Sequence, residues 1–238
     1  YLYLLSQKLN KQCTIRDIPE SEFDDWKNKG FEWVWFMGIW ELGPSGLKHD
    51  QEDADCINGY NQNCPGWTKD DVIGSPYAIV KYDVNPSIGT KDDIYWIRNQ
   101  LHKRGIKLML DFVPNHSAFE APEIISKRNF YIYTKEPSTS KRYAPNGIAY
   151  GTEHGSAPWT DVAQYNYFDQ EFRNHQIEVL KSIASMADGV RCDMSHCVIN
   201  SIFAECWKDE LKALGYKTPE KDFWEVAISA VKSEYPHF

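Results

Sequence analysis

Residues 187–197 read Ala187-Asp188-Gly189-Val190-Arg191-Cys192-Asp193-Met194-Ser195-His196-Cys197, and this stretch decides the fold. It is a short strand that ends in a carboxylate. Side chains alternate between the two faces of a strand, so Arg191 and Asp193 point to the same side. A guanidinium beside a carboxylate favours the ionised form, which a nucleophile near neutral pH requires. Taken alone, the pair is equally consistent with a structural ion pair at a strand end.

A second stretch shows the same pattern of an apolar strand that ends in polar residues. It is Ile106-Lys107-Leu108-Met109-Leu110-Asp111-Phe112-Val113-Pro114-Asn115-His116, an apolar strand followed by polar residues. Two successive parallel strands that end this way bring their polar residues to one rim of a sheet. In a barrel of parallel strands, the chemistry takes place at that rim.

These two stretches carry a family resemblance. Asp111-x-x-x-Asn115-His116 and Gly189-x-Arg191-x-Asp193 resemble the first two signature regions of glycoside hydrolase family 13, the α-amylase family. Two further segments, 74–90 and 159–167, resemble the family's approaches to its second and third barrel helices. Four motifs in the family's order are a specific match that spans nearly the whole chain.

The resemblance implies roles for individual residues. Asp193 matches the family's catalytic nucleophile, and Arg191 would hold it ionised. His116, Tyr77, Asp111 and His196 are the expected substrate-binding residues, although Tyr77 is nearly as consistent with an ordinary core tyrosine. The family often has a histidine four residues after the nucleophile; here Cys197 occupies that position, and His196 precedes it.

The resemblance also bears on cofactors. The family's reaction requires none, but many members bind calcium, and Asn115 and Asp161 align with calcium-binding positions. Oxygen ligands suit that ion. Two candidate ligands are nevertheless fewer than the six to eight that calcium takes.

The predicted fold is α/β, the first four βα units of a (β/α)8 TIM barrel with a small inserted domain. The expected domains are 1–116 and 159–238 for the barrel and 117–158 for a domain-B-like insertion. Expected strands are Tyr1–Leu5, Phe31–Trp40, Ile106–Val113 and Ala187–Asp193; Phe31–Trp40 is expected to be buried on both faces. Predicted helices start near Asp17, Thr90, Asp169, Ser201 and Thr218, and 42–74 is expected to be a long polar loop.

Composition excludes several function classes. The 238 residues carry a net charge of -8 with no basic cluster, which argues against nucleic acid binding. No apolar run approaches the roughly 20 residues of a membrane span. The six cysteines show no zinc-site spacing, but Cys56 and Cys64 could close a loop as a disulfide. A disulfide would favour a secreted protein, and the compartment otherwise stays open.

The expected function is that of a retaining glycoside hydrolase acting on α-glucosidic bonds, with an α-glucan or maltooligosaccharide as substrate. The family's general acid glutamate follows its fifth strand and its second invariant aspartate follows the seventh, positions that this chain does not reach. We therefore expect residues 1–238 alone to be inactive and to need the C-terminal half of the barrel. The alternatives are an inactive homologue with a sugar-binding or structural role, and a transglycosylase of the same family.

Overall fold

The structure is a computed structural model that describes residues 1–135, 139–153 and 155–238. The helices within these ranges are α1 (Leu2–Leu9), α2 (Glu20–Asn28), α3 (Pro44–Glu52), α4 (Ala54–Asn63), α5 (Lys91–His102), α6 (Glu123–Ser126), α7 (Gln170–Met186), α8 (Asn200–Cys206), α9 (Lys208–Leu214) and α10 (Phe223–Glu234). The strands are β1 (Trp33–Trp35), β2 (Trp40–Leu42), β3 (Ile79–Val84), β4 (Lys107–Phe112), β5 (His116–Ala118), β6 (Tyr150–Gly151), β7 (Trp159–Gln164) and β8 (Gly189–Cys192).

A three-stranded parallel sheet carries the architecture, in the order β1-β4-β8. Alternation gives its central strand β4 two different faces. Leu108, Leu110 and Phe112 are fully buried on one face, whereas Lys107 and Met109 on the other are exposed and half-buried. The prediction of successive parallel strands linked through helices is confirmed.

Helices cover the apolar face of this sheet, with α5 and α7 packed against β4. The predicted start of α5 is confirmed, because Thr90 and Asp93 form a reciprocal capping box at its N-terminus. Ile94, Ile97 and Leu101 on its inner side are fully buried. The same helical spacing in α7 buries residues Ile177, Leu180 and Ile183.

The opposite face of the sheet is open. Trp33 is 39% exposed and Trp35 is 41% exposed, so the expectation of a strand buried on both faces over Phe31–Trp40 is wrong. The run is also not one strand. At Gly38 the backbone adopts a φ of +71°, and the chain then pairs antiparallel with β3 as strand β2. Apolar composition alone could not locate this break.

A second, small sheet is antiparallel and has the order β5-β7-β6. It falls where the inserted domain was expected and extends beyond Pro158 to Gln164. Its first strand starts at His116, directly after the barrel strand β4 and its Pro114 turn. The small sheet is therefore joined to the rim of the parallel sheet at both of its ends.

Two expectations near the N-terminus are wrong. Tyr1–Leu5 is not a strand but belongs to helix α1, so the described parallel sheet has three strands rather than four. The expected loop 42–74 contains α3 and α4. Local signals explain these two helices: Pro44 occupies the first turn of α3, and the Asp53 carboxylate accepts hydrogen bonds from two N–H groups at the start of α4.

Two expectations near the C-terminus need correction. The helix expected over Ser201–Leu214 is divided into α8 and α9 at the buried Trp207. The last helix does not start at Thr218, since Asp222 is the residue that precedes its first turn.

The six cysteines are free, so the Cys56–Cys64 disulfide does not form. Cys56 lies in the first turn of α4 and Cys64 directly follows its end. A helical rise of about 1.5 Å per residue separates their Cα atoms by roughly 12 Å, which exceeds the reach of a disulfide. The Cys56–Cys64 disulfide was the reason to expect a secreted protein, and the structure does not contain it. Within the described ranges, no helix combines the length and apolar content that crossing a bilayer requires.

The open face predicts self-association. β1 and β8 each have one unpaired edge in this sheet, and an apolar groove of about 490 Å³ lies beside β8 between Trp33 and Phe238. Unpaired strand edges and solvent-exposed apolar surface favour association with other chains. We expect the 238-residue chain to form dimers or larger species in size-exclusion chromatography with light scattering, with a mass that falls on dilution. A monomer at every concentration would contradict this prediction.

Candidate active site

One guanidinium joins the two carboxylates predicted at the rim. Arg191 Nη2 donates to Asp193 Oδ1 at 2.8 Å, and Nη1 donates to Asp111 Oδ1 at 3.2 Å. The strand register explains the arrangement, because Asp111 and Arg191 are direct neighbours across the β4–β8 pair. The prediction that Arg191 and Asp193 lie on the same side is confirmed, and Asp111 joins them.

Two aromatic rings enclose the guanidinium. The Cζ atom of Arg191 lies 4.9 Å from the ring centroid of Trp35 and 5.2 Å from that of Tyr77. Tyr77 thus lies beside Arg191, and its role in substrate binding stays a prediction. Trp35 was not predicted. It comes from β1, where its pairing with Met109 places it on the open face of the sheet.

Burial and charge act in opposite directions on Asp111. Its side chain is 2% exposed, and this burial raises the pKa of the carboxyl group although Arg191 favours the ionised form. Asp111 Oδ2 is buried without a hydrogen-bond partner among the described residues. The Trp35 side chain also favours the ionised form of this carboxyl group, which lies directly beside the Arg191–Asp193 pair.

The backbone around Asp193 is constrained. The Asp193 N–H donates to the Phe112 carbonyl at 2.8 Å, which extends the sheet pairing to the end of the strand. The next residue, Met194, adopts a left-handed conformation with a φ of +49°. Such strain in a non-glycine residue clusters at functional sites.

His116 lies apart from these carboxylates. It is buried; its ring lies 5.5 Å from that of Trp159, and its Nδ1 is 3.4 Å from Asn115 Nδ2. Burial lowers the pKa of His116 to about 4. No contact with Asp111, Arg191 or Asp193 is recorded for it in the described part of the chain.

His196 contacts Glu153 and Cys197, and its role in substrate binding stays a prediction. Its side chain is half exposed, and its Nε2 lies 3.5 Å from Glu153 Oε2 and 3.5 Å from Cys197 Sγ. It therefore faces the segment that precedes β7, on a turn directly after Asp193.

The expected calcium pair does not converge. The Asn115 side-chain oxygen accepts from Gln164 Nε2 at 3.0 Å, and its amide donates to the Thr152 carbonyl at 3.2 Å. Asp161 lies towards the opposite end of β7, where its electrostatic neighbours are His49 and Asp50. Asn115 and Asp161 therefore do not fit a shared calcium shell, because strand β7 separates them and hydrogen bonds already satisfy Asn115.

Comparison with known proteins decides the family. Residues 69–213 match the family model described as the alpha-amylase catalytic domain. The chain belongs to the α-amylase family. The matched span includes Tyr77, Asp111, Arg191 and Asp193, the residues that meet at the rim, whereas Trp35 lies outside it.

Individual relatives are similar over parts of their length. The alpha-amylase SusG of Bacteroides thetaiotaomicron is 32% identical over 103 residues, which are 40% of this chain and 15% of that protein. The probable oligo-1,6-glucosidase 2 of Bacillus subtilis is 27% identical over 164 residues, 58% of this chain and 29% of that protein. The chain thus spans less than a third of either relative.

Solved structures show the same fold. An alpha-amylase from Lactobacillus plantarum superimposes with a TM-score of 0.63 at 21% identity, covering 94% of this chain and 40% of that one. An alpha-amylase from Geobacillus thermoleovorans, complexed with acarbose, gives a TM-score of 0.52 at 22% identity over 84% of this chain and 38% of that one. The parallel sheet described here is accordingly part of an α-amylase-family TIM barrel.

The buried His116 predicts a pH dependence of stability. Its pKa is about 4 in the folded protein but near 6.5 when unfolded, so below pH 6.5 the unfolded state binds the extra proton. Stability should therefore fall as the pH drops from 6.5 to 4, by on the order of 3 kcal/mol for this group. Denaturant unfolding at several pH values measures the slope.

Two variants isolate the contribution of His116. His116→Gln should flatten the slope, whereas His196→Gln, at an exposed position, should not change it. An NMR titration of the wild-type imidazole provides a second measurement that does not require the variants to fold. A His116 imidazole that titrates near pH 6.5 in the folded protein would contradict the prediction.

Proposed function

We propose that this chain supplies the nucleophile side of a retaining α-glucosidase or α-amylase active site. The observation that carries the proposal is the pair of hydrogen bonds from Arg191 to Asp111 and Asp193 at the carboxyl ends of adjacent strands. Membership of the α-amylase family supports it. Asp193 attacks the anomeric carbon while the glycosidic bond breaks and the general acid protonates the leaving oxygen. Water, deprotonated by the same acid group, then hydrolyses the covalent glycosyl intermediate and releases Asp193.

The proposed roles follow from the contacts of each residue. Arg191 orients Asp193 by a charge-assisted hydrogen bond of 2.8 Å. Asp111 has one unsatisfied oxygen beside this pair, which suits it to accept a hydrogen bond from a sugar hydroxyl. The reaction uses carboxyl groups of the protein, so the proposal needs no cofactor, and no step in it depends on calcium.

The general acid is assigned to a carboxyl group that this span does not supply. Retaining glycosidases place the two carboxyl groups about 5–5.5 Å apart, and the acid must be protonated before the reaction. In residues 1–135, 139–153 and 155–238, the carboxylates recorded in contact with Arg191 are Asp111 and Asp193, and the guanidinium holds both. We therefore propose that the other half of the barrel completes the site.

The proposed substrate is an α-glucan or a maltooligosaccharide. Trp35 and Tyr77 present aromatic rings next to the Arg191 group, and such rings pack against the apolar faces of sugars. The Geobacillus thermoleovorans structure was solved with acarbose, which supports carbohydrate as the ligand class. Hydrolysis and transglycosylation share the covalent intermediate, so a transglycosylase is the closest alternative within the proposal.

A sugar-binding protein without catalysis is the second candidate. It is favoured by the lack of a third carboxyl group at Arg191 in the described residues. The two candidates differ in covalent chemistry but share the carbohydrate site, so separate experiments on binding and on labelling distinguish them.

Asp193→Asn should abolish covalent labelling by a fluorinated glycoside inhibitor, because the amide is a poor nucleophile. The experiment uses a chain that contains this span together with the remaining barrel. Peptide mapping of the wild-type protein should place the label on Asp193. Asp70→Asn, an exposed acid on a distant turn, is the matched control and should label normally. A label on another residue would overturn the assignment, and no label with intact sugar binding would favour the second candidate.

Trp35→Ala should weaken maltooligosaccharide binding by roughly three- to tenfold, as expected for losing one aromatic contact of about 0.5–1.5 kcal/mol. Isothermal titration calorimetry on the 238-residue chain measures the affinity. Trp67→Ala is the control, since Trp67 packs against Tyr60 away from the rim. Equal losses in both variants, or none in Trp35→Ala, would contradict the placement of the sugar over Trp35.

A further inference from the structure

Three side chains with metal-binding atoms come together outside the candidate active site. His49 and Asp50 lie on α3, and Cys56 lies in the first turn of α4. One ligand atom from each falls within 4.8 Å of the other two, and all three residues are half-buried. Zinc bonds of about 2.0–2.3 Å require ligand atoms roughly 3.3–3.8 Å apart, so a contraction of about 1 Å would bring these three atoms to coordinating distance, with a water as the fourth ligand.

The backbone holds these residues in place. Asp53 ends α3 and caps α4, accepting hydrogen bonds from the N–H groups of Asp55 and Cys56 at 3.0 Å each. This tight junction turns the start of α4 back towards His49. The result is a ligand set from two helices rather than from a short repeated motif, which explains why cysteine spacing gave no sign of it.

The small antiparallel sheet closes the other side of the cluster. His49 Nε2 lies 3.1 Å from Thr160 Oγ1 on β7, and His49 Nδ1 lies 3.2 Å from Asp50 Oδ1. The next residue on β7 is Asp161, whose carboxyl group interacts electrostatically with both His49 and Asp50. The cluster therefore lies against the face of β7 that carries Thr160.

We propose that His49, Asp50 and Cys56 bind a zinc ion. A thiolate, an imidazole and carboxylates are the donor set of zinc, whereas calcium takes oxygen ligands alone. The ion would fasten the end of α3 to the first turn of α4, and the cluster would stay against Thr160 of β7. This proposal does not depend on the proposed catalytic function.

A second group of potential metal ligands could also bind zinc, so the test must distinguish the two sites. Glu153, His196 and Cys197 also place one ligand atom each within 4.8 Å of one another. His196 directly follows the Asp193 turn, and its side chain is half exposed. The experiment must therefore identify the cysteine and the histidine that hold the ion.

The test measures zinc binding to the 238-residue chain by competition with a chromophoric chelator, with the metal counted per chain. The wild-type protein should bind one zinc ion per chain. Cys56→Ser and His49→Gln should each lower the affinity by more than roughly 100-fold, since even outer-shell changes at metal sites cost 10–100-fold. Cys64→Ser, at the exposed end of the same helix, and His196→Gln are the matched controls and should retain wild-type affinity.

Cobalt substitution reports the ligands directly. Wild-type protein loaded with Co²⁺ should show a thiolate-to-metal charge-transfer band that Cys56→Ser lacks and Cys64→Ser keeps. Metal-free Cys56→Ser must match the metal-free wild type in circular dichroism and thermal unfolding; if it does not fold, His49→Gln decides. Absence of stoichiometric zinc binding would overturn the proposal, as would a loss of binding in His196→Gln with none in His49→Gln.

Discussion

The Arg191 guanidinium is the interaction on which the rim depends. Asp111 and Asp193 end neighbouring strands on the same face, and without a cation between them two carboxylates would repel each other. Arg191 bonds to both and stacks between Trp35 and Tyr77. Its two hydrogen bonds thus tie β4 to the end of β8, and its two ring contacts bring in β1 and the segment before β3.

Contacts at the start of β8 determine where Arg191 lies at the other end of the strand. Asp188, at the start of β8, accepts hydrogen bonds from Arg98 on α5 and from the Leu108 N–H of β4, and it lies 2.7 Å from His102 Nε2. Burial alone would raise the pKa of Asp188, but these bonds outweigh it and lower the pKa. The carboxylate is therefore ionised at neutral pH and locks the register of β8, which determines where Arg191 and Asp193 emerge at the opposite end.

Sequence patterns predicted those parts of the molecule in which local signals and tertiary packing agree. The Thr90 capping box and the buried spacing of Ile94, Ile97 and Leu101 specify α5, and two motifs specify Asp111, Arg191 and Asp193. The apolar run Phe31–Trp40 was wrongly predicted to be one strand, because the same composition fits one strand or two. Helices α3 and α4 were missed because they are short and polar and depend on caps such as Asp53. The position of Trp35 depends on pairing between distant segments, and the His49 cluster depends on the angle between α3 and α4 at Asp53; residue spacing alone encodes neither.

The motif Asp111-x-x-x-Asn115-His116 divides into two physical roles. Asp111 faces Arg191, whereas Asn115 and His116 are buried where the small sheet begins: Asn115 bonds to Gln164 and Thr152, and His116 contacts Trp159. Pro114 lies between them, at the point where the chain leaves the parallel sheet and enters β5. The second half of the motif therefore attaches the small sheet to the end of β4, while the first half supplies a charged group at the rim.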